Sequence, residues 1–186
     1  VPPPRSRPVV AVVLAVAAMV VGCSSGPAGP PDPFPPRPVD IAIERLDPCA
    51  LLSDTTRSEL QMGGARAGTA PVRGVSTQVC GWSSIRTGYD YSVQFLPQDA
   101  ADAVGAPGTR VGVVEGYGSV RVIDRVGSYP LCEIVVDVGE ARAIRARAAA
   151  ITRETDGSPR PADEVCRRAE TVAADALRTA VRGRTG

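Results

Sequence analysis

The chain has 186 residues, with 21 basic and 20 acidic side chains, a formal charge of +1 and five cysteines. Every basic residue is an arginine. There is no His, Lys or Asn, while Ala, Arg, Val, Gly and Pro abound, as in a protein from a GC-rich genome. The missing residues exclude a Ser-His-Asp triad, a Cys-His pair, a Ser-Lys dyad, a lysine Schiff base and imidazole metal ligands, and the near-neutral charge argues against bulk nucleic-acid binding.

Arg5 and Arg7 precede an uncharged run from Val9 to Val21, which has the length of a signal-peptide core. It is too short to span a bilayer, which needs about 20 apolar residues. The run ends in Val20-Val21-Gly22-Cys23, which resembles the bacterial lipobox with Val20 in the place usually held by Leu. Residues 1–22 are therefore expected to be a lipoprotein signal peptide. Cys23 is expected to be the lipidated N-terminus (diacylglyceryl and palmitate), on the outer face of the cytoplasmic membrane. Two acyl chains hold a protein stably where one gives only marginal binding. Residues 23–38 read as a Pro/Gly-rich tether: Ser24–Pro38 contains seven prolines and little that can pack. Residues 39–186 read as one globular domain of about 145 residues with a single core.

Within that domain, Asp47-Pro48 is a helix start for a short helix through Cys49-Ala50-Leu51-Leu52. Ser53 can cap a second turn over Thr55–Met62, ended by Gly63-Gly64, and 65–74 reads as a loop. Val79–Ile85 is a strand carrying Trp82, followed by a turn at Arg86-Thr87-Gly88. In the strand Tyr89–Phe95 the residues Tyr89, Tyr91, Val93 and Phe95 face one way. Pro97–Val104 is a loop with one helical turn. Strands Arg110–Val114 and Ser119–Ile123 flank a turn at Gly116-Tyr117-Gly118. Leu131–Val138 is the clearest strand, with Cys132, Ile134, Val136 and Val138 on one face. Gly139-Glu140 turns the chain into Ala143–Ile151, where Ala and Arg favour helix. A strand is preferred because it would pair with its neighbour and show Arg145 and Arg147 to solvent. After Pro159 and Pro161, Val165, Ala169, Val172, Ala173, Ala176, Leu177 and Ala180 recur at helical spacing and define an amphipathic helix ended by Gly183.

The layout is α+β: a mostly antiparallel sheet of five or six strands, short N-terminal helices and a long C-terminal helix packed on one face. With Cys23 assigned to lipid, Cys49, Cys80, Cys132 and Cys166 can form two disulfides in three connectivities. Of these, Cys49–Cys80 and Cys132–Cys166 are favoured, each stapling a helix to a strand.

Leu46-Asp47-Pro48-Cys49-Ala50-Leu51-Leu52, Cys80-Gly81-Trp82, Leu131-Cys132-Glu133-Ile134-Val135-Val136 and Cys166 together resemble the DUF3558 family of actinobacterial lipoproteins. The resemblance covers roughly residues 39–182. It implies an exported, anchored α+β domain and supplies no activity; the likeness of its sheet to the PsbP-like architecture is one of fold alone.

Several side chains are candidates for chemistry. Trp82 can stack a ligand or anchor the core, and Tyr89, Tyr91 and Phe95 can line a groove or simply form a sheet face. Arg145, Arg147, Arg153, Arg160, Arg167 and Arg168 can gather into an anion site, although in a Lys-free chain arginine also supplies every solvated cation. Asp99/Asp102 and Asp163/Glu164 are the conceivable acid–base pairs. Gly112, Gly116 and Gly118 lack the spacing of a nucleotide loop. No catalytic, metal or cofactor residue is expected. The reading is a non-enzymatic binding domain in the cell envelope with a protein or lipid partner. The alternatives are a small-molecule or lipid carrier or sensor subunit, or a carboxylate-dependent hydrolase.

Overall fold

The computed structural model describes residues 32–183, so the expected signal peptide, Cys23 and most of the expected tether lie outside the described residues. Among those described, the elements are α1 (Asp54–Glu59), β1 (Arg66–Val72), β2 (Val75–Ser84), β3 (Tyr89–Leu96), β4 (Thr109–Val114), β5 (Tyr117–Val126), β6 (Tyr129–Gly139), β7 (Arg142–Ala150) and α2 (Ala162–Arg182). Single 3-10 turns stand at Ile43–Arg45, Pro48–Ala50 and Ala100–Ala103. Local chemistry explains the starts. The Asp47 carboxylate accepts a bond from the Cys49 amide at 2.9 Å, and the Ser53 hydroxyl accepts one from Thr56 at 3.2 Å.

The strands form one antiparallel sheet in the order β1-β2-β3-β7-β6-β5-β4. The α+β layout is as expected, with seven strands rather than five or six. The addition is β1: residues 65–74 are not a loop, because Arg66–Val72 pairs with β2 through a turn at Arg73-Gly74, both at positive φ. The turn between β4 and β5 is Glu115-Gly116 rather than Gly116-Tyr117-Gly118, and Tyr117 is already a buried strand residue. Residues 142–150 are a strand despite their helix-favouring composition. They pair on both sides, with β3 and with β6.

The α2 helix lies against β6 and β7 and buries all seven residues expected on its apolar face. The core beneath it includes Trp82, Tyr89, Tyr91 and Val93, with Ile134 and Val136 from β6 and Ala146 and Ala148 from β7. Both expected disulfides are formed, Cys49–Cys80 and Cys132–Cys166. The first fixes the N-terminal segment to β2 and the second fixes the first turn of α2 to β6. Asp175 of α2 is buried and accepts bonds from the Ser53 amide and hydroxyl at 2.8 and 2.9 Å, so the cap of α1 is locked to α2.

The opposite sheet face is only partly covered. A small cluster of Leu96, Ala100, Val135 and Ala143 packs there, with Phe34 against it. Nearby, Arg37 bridges Asp137 and Asp40, at 2.7 Å each. Burial pushes the Asp137 carboxyl above its ordinary range, and Arg37 offsets only part of that rise. The last residues of the proline-rich stretch are thus seated on the domain. Gly118 belongs to that seat, since a side chain there would overlap Phe34.

Candidate functional site

Alternation along the strands sorts the candidate residues onto two faces. Tyr89, Tyr91 and Phe95 point to the helix side, whereas Asp90, Ser92 and Gln94 point to the open side, as do Arg145, Arg147 and Ala149 of β7. The six arginines therefore do not form one cluster.

On the helix side a polar network closes the start of α2. The Tyr89 hydroxyl donates to Glu164 at 2.8 Å, and Arg160 reaches that hydroxyl at 3.2 Å. Arg168 bonds Glu164 and, at 3.0 Å, the Tyr91 hydroxyl. Both guanidinium groups stack on the Tyr89 ring, 4.7 and 4.1 Å from its centroid. Burial raises both tyrosine pKa values. Burial also acts to raise Glu164, but the Tyr89 hydroxyl and Arg168, with Arg160, outweigh it and hold the carboxyl below its usual range. This network is closed on itself except at the buried Arg160 Nε, which has no partner among the described residues, and it serves to fix α2 on the sheet. Because the native Glu164 value lies below that of the unfolded chain, its stabilisation is complete above about pH 4.3 and is lost as pH falls through the native value. Urea unfolding should show wild type more stable than Glu164→Gln at pH 7, with the gap narrowing as pH falls below the ordinary carboxylate range. A gap indifferent to pH would mean that Glu164 acts through shape alone.

On the open face a second polar chain runs across the sheet. Arg145 contacts Gln94 and lies 3.6 Å from Glu133. Gln94 in turn donates to Thr77 at 2.6 Å, and Thr77 donates to the Ala70 carbonyl at 2.9 Å. This chain uses Arg145 and leaves Arg147 out. Arg147 sits opposite Ser92 on one side and Glu133 on the other, yet makes no hydrogen bond or ion pair among the described residues. Beside it, Asp90 has a buried Oδ1 with no partner among the described residues.

These two groups border a pocket of about 400 Å³ with Ser92, Val126, Tyr129 and Ile151. Its floor is Ala149, and the depression exists because small residues there are ringed by long ones. The paired Val126 and Tyr129 at the β5–β6 turn project over the same face, and Val126 is exposed. The volume falls in the range of small-molecule sites, roughly 300–1,000 Å³. The pocket joins a cationic fork, an unsatisfied acceptor and an apolar wall. It can hold a small molecule with an anionic group at Arg147, a donor at Asp90 and apolar surface against Tyr129.

The remaining candidates are dispersed. Trp82 is 1 % exposed, a core anchor rather than a stacking platform. Arg153 bonds the Gly157 carbonyl and the Ser128 hydroxyl, and Arg167 is exposed. Asp99 accepts from the Ala141 amide at 2.7 Å while Asp102 pairs with Arg73 at 3.1 Å, so the two face different partners. Asp163 is exposed and Glu164 belongs to the tyrosine network. Gly112, Gly116 and Gly118 lie along the β4–β5 hairpin. Among the described residues no group of three or more Cys, Asp or Glu is placed to hold a metal. Sequence reading had Arg147 within the arginine group but missed Asp90 and Tyr129. The signal for Asp90 was its phase, a carboxylate on the face opposite Tyr89 and Tyr91.

In architecture this is a disulfide-stapled α+β domain with one sheet face under a helix and the other open around a charged pocket. The chain belongs to DUF3558, described as a protein of unknown function, whose family model matches residues 18–179. Comparison with curated proteins and with solved structures finds no match.

Proposed function

We propose that this protein is an exported lipoprotein, anchored through Cys23, whose domain binds a small zwitterionic molecule in the open-face pocket. The observation that carries the ligand is that Arg147 and the Asp90 Oδ1, neither with a partner among the described residues, border one cavity. A carboxylate suits the planar Arg fork, an ammonium group suits Asp90, and Tyr129 with Val126 and Ile151 receives an apolar side chain. Support for the anchor is the register of Val9–Val21, Gly22, Cys23 and the proline-rich stretch that follows. A binding role on a short tether fits a chain that lacks His and Lys.

Two measurements test this reading. Mass spectrometry of protein from membranes should find Cys23 acylated, and an unmodified Cys23 removes the anchor. Calorimetric titration of the twenty free amino acids should reveal binders among those with apolar or aromatic side chains. Arg147→Gln should weaken them by roughly ten- to a hundredfold, the worth of a charge-assisted hydrogen bond. No binding at millimolar concentration, or binding unchanged by Arg147→Gln, sinks the ligand assignment.

A further inference from the structure

The two edges of the sheet differ in how they end. At β1 the two-residue turn makes Val72 and Val75 a mutually bonded pair, so alternate residues Pro71, Thr69 and Ala67 turn their backbones outward. Pro71 thus stands where it removes an outward donor, a common way of blunting an edge. The same argument applies to β4. Its turn, Glu115-Gly116, has both φ values positive (51° and 83°), and Val114 opposes Tyr117. Val114, Gly112 and Arg110 therefore bond to β5, and Val111 and Val113 turn both N–H and C=O outward. The Ile123 amide bonding to the Gly108 carbonyl at 3.1 Å continues that alternation. No proline interrupts Thr109–Val114, its one charged residue, Arg110, lines a groove on the helix side and bonds to β5 rather than outward, and the side chains of Val111 and Val113 are 49 % and 58 % exposed. This edge is unblunted.

Beside it lies a groove of about 380 Å³ between β4 and α2. It is open because Gly112 and Ala174 face each other with nothing larger than hydrogen and methyl, above the buried Ile134. Its polar lining is cationic. Arg110 has no hydrogen bond or ion pair among the described residues, and Arg121 shares the groove's one carboxylate, Glu170, at 3.8 Å.

We propose that β4 and this groove receive an extended acidic–apolar peptide segment as an eighth strand. The segment's backbone would pair with the outward groups of Val111 and Val113. Alternate side chains would fall to the two faces of the extended sheet. One set would reach the groove, an acidic residue meeting Arg110 and an apolar one filling the space over Gly112. The other set would cover the exposed valines. Charge selects this occupant over a second copy of the chain, since two β4 strands would bring together grooves of the same positive sign. The inference does not depend on the zwitterion pocket, which is lined by different residues.

Panning a random decapeptide library on the full chain tests it. Enriched peptides should alternate apolar residues with at least one Asp or Glu, and on binding should slow hydrogen exchange at the Val111 and Val113 amides. Val111→Pro deletes an outward donor without touching a bond to β5. Gly112→Leu fills the groove, where the first added carbon meets only the Ser119 hydroxyl at 3.5 Å. Each substitution should weaken the selected peptides by roughly tenfold or more while leaving the circular dichroism spectrum unchanged. Three results would overturn the proposal. One is no enrichment above background. A second is peptides that protect other amides or bind both variants as well as wild type. The third is self-association of the chain at micromolar concentration through these same amides, which assigns the edge to a second copy.

Discussion

Replacing Cys132 and Cys166 by alanine should lower the free energy of unfolding by about 4 kcal/mol. The sequence separation of 34 residues sets that figure in the loop-entropy account, and Cys49–Cys80, separated by 31, closes a loop of nearly the same size. The two bridges differ in where they sit. Cys132 and Cys166 are 0 % and 1 % exposed, under the first turn of α2, whereas Cys49 is only half-buried. Cutting the buried bridge also removes packed sulfur from the core and frees the helix start that carries Glu164 and Arg168. The Cys132–Cys166 double variant should therefore be the more damaging of the two. At this domain size it should lower the melting temperature by roughly 10 °C. Alanine is the right replacement, since serine would bury an unpaired hydroxyl. Urea unfolding of the two double variants side by side gives the comparison. A loss below about 1 kcal/mol for Cys132–Cys166 would show that the apolar face of α2 holds the helix unaided.

Most elements legible in the sequence are those whose burial differs between faces. Tyr89–Phe95 alternates because one side meets α2 while Asp90 and Ser92 stay half-exposed on the other, and α2 itself repeats at helical spacing because one stripe is buried. Leu131–Val138 is buried on both faces apart from Glu133 and reads as a strand through its dense β-branched composition. Where both faces meet solvent, neither signal is present. Arg66–Val72 has an exposed or half-exposed residue at every position, so its strand character comes from pairing with β2 and is recorded only in the Val72-Arg73-Gly74-Val75 turn. Residues 142–150 were ambiguous for a different reason. Ala and Arg suit a helix locally, and only insertion between β3 and β6 decides the matter.

That same insertion builds the candidate site. Asp90 and Arg147 are far apart along the chain and become neighbours because β7 returns beside β3. Composition could group Arg147 with the other arginines, but it could not show that the sheet divides them between two faces. The seating of Phe34 and Arg37 was hidden by the prolines around them, whose density reads as an unpacked tether.

Trp82 separates a core role from a ligand role most sharply. It sits opposite Tyr91 in the β2–β3 ladder, two residues from the Cys80 bridge, and its indole Nε1 is buried with no partner among the described residues. Trp82→Ala should cost about 3–5 kcal/mol, the range for emptying a large aromatic site. Trp82→Phe should cost far less than that volume change suggests. It discards an orphaned N–H whose burial already carries a desolvation penalty of about 1–3 kcal/mol, and that relief offsets part of the lost contact area. Because Trp82 is the chain's single tryptophan, unfolding has to be followed by circular dichroism rather than by indole fluorescence. The expected order is wild type, then Trp82→Phe close behind, then Trp82→Ala well below both. If the phenylalanine variant falls as far as the alanine one, the indole N–H makes an interaction in solution that the core must replace. If Trp82→Phe instead keeps stability but abolishes amino-acid binding, the ligand reaches the helix side of the sheet. The Asp90–Arg147 pocket on the opposite face would then not be where it binds.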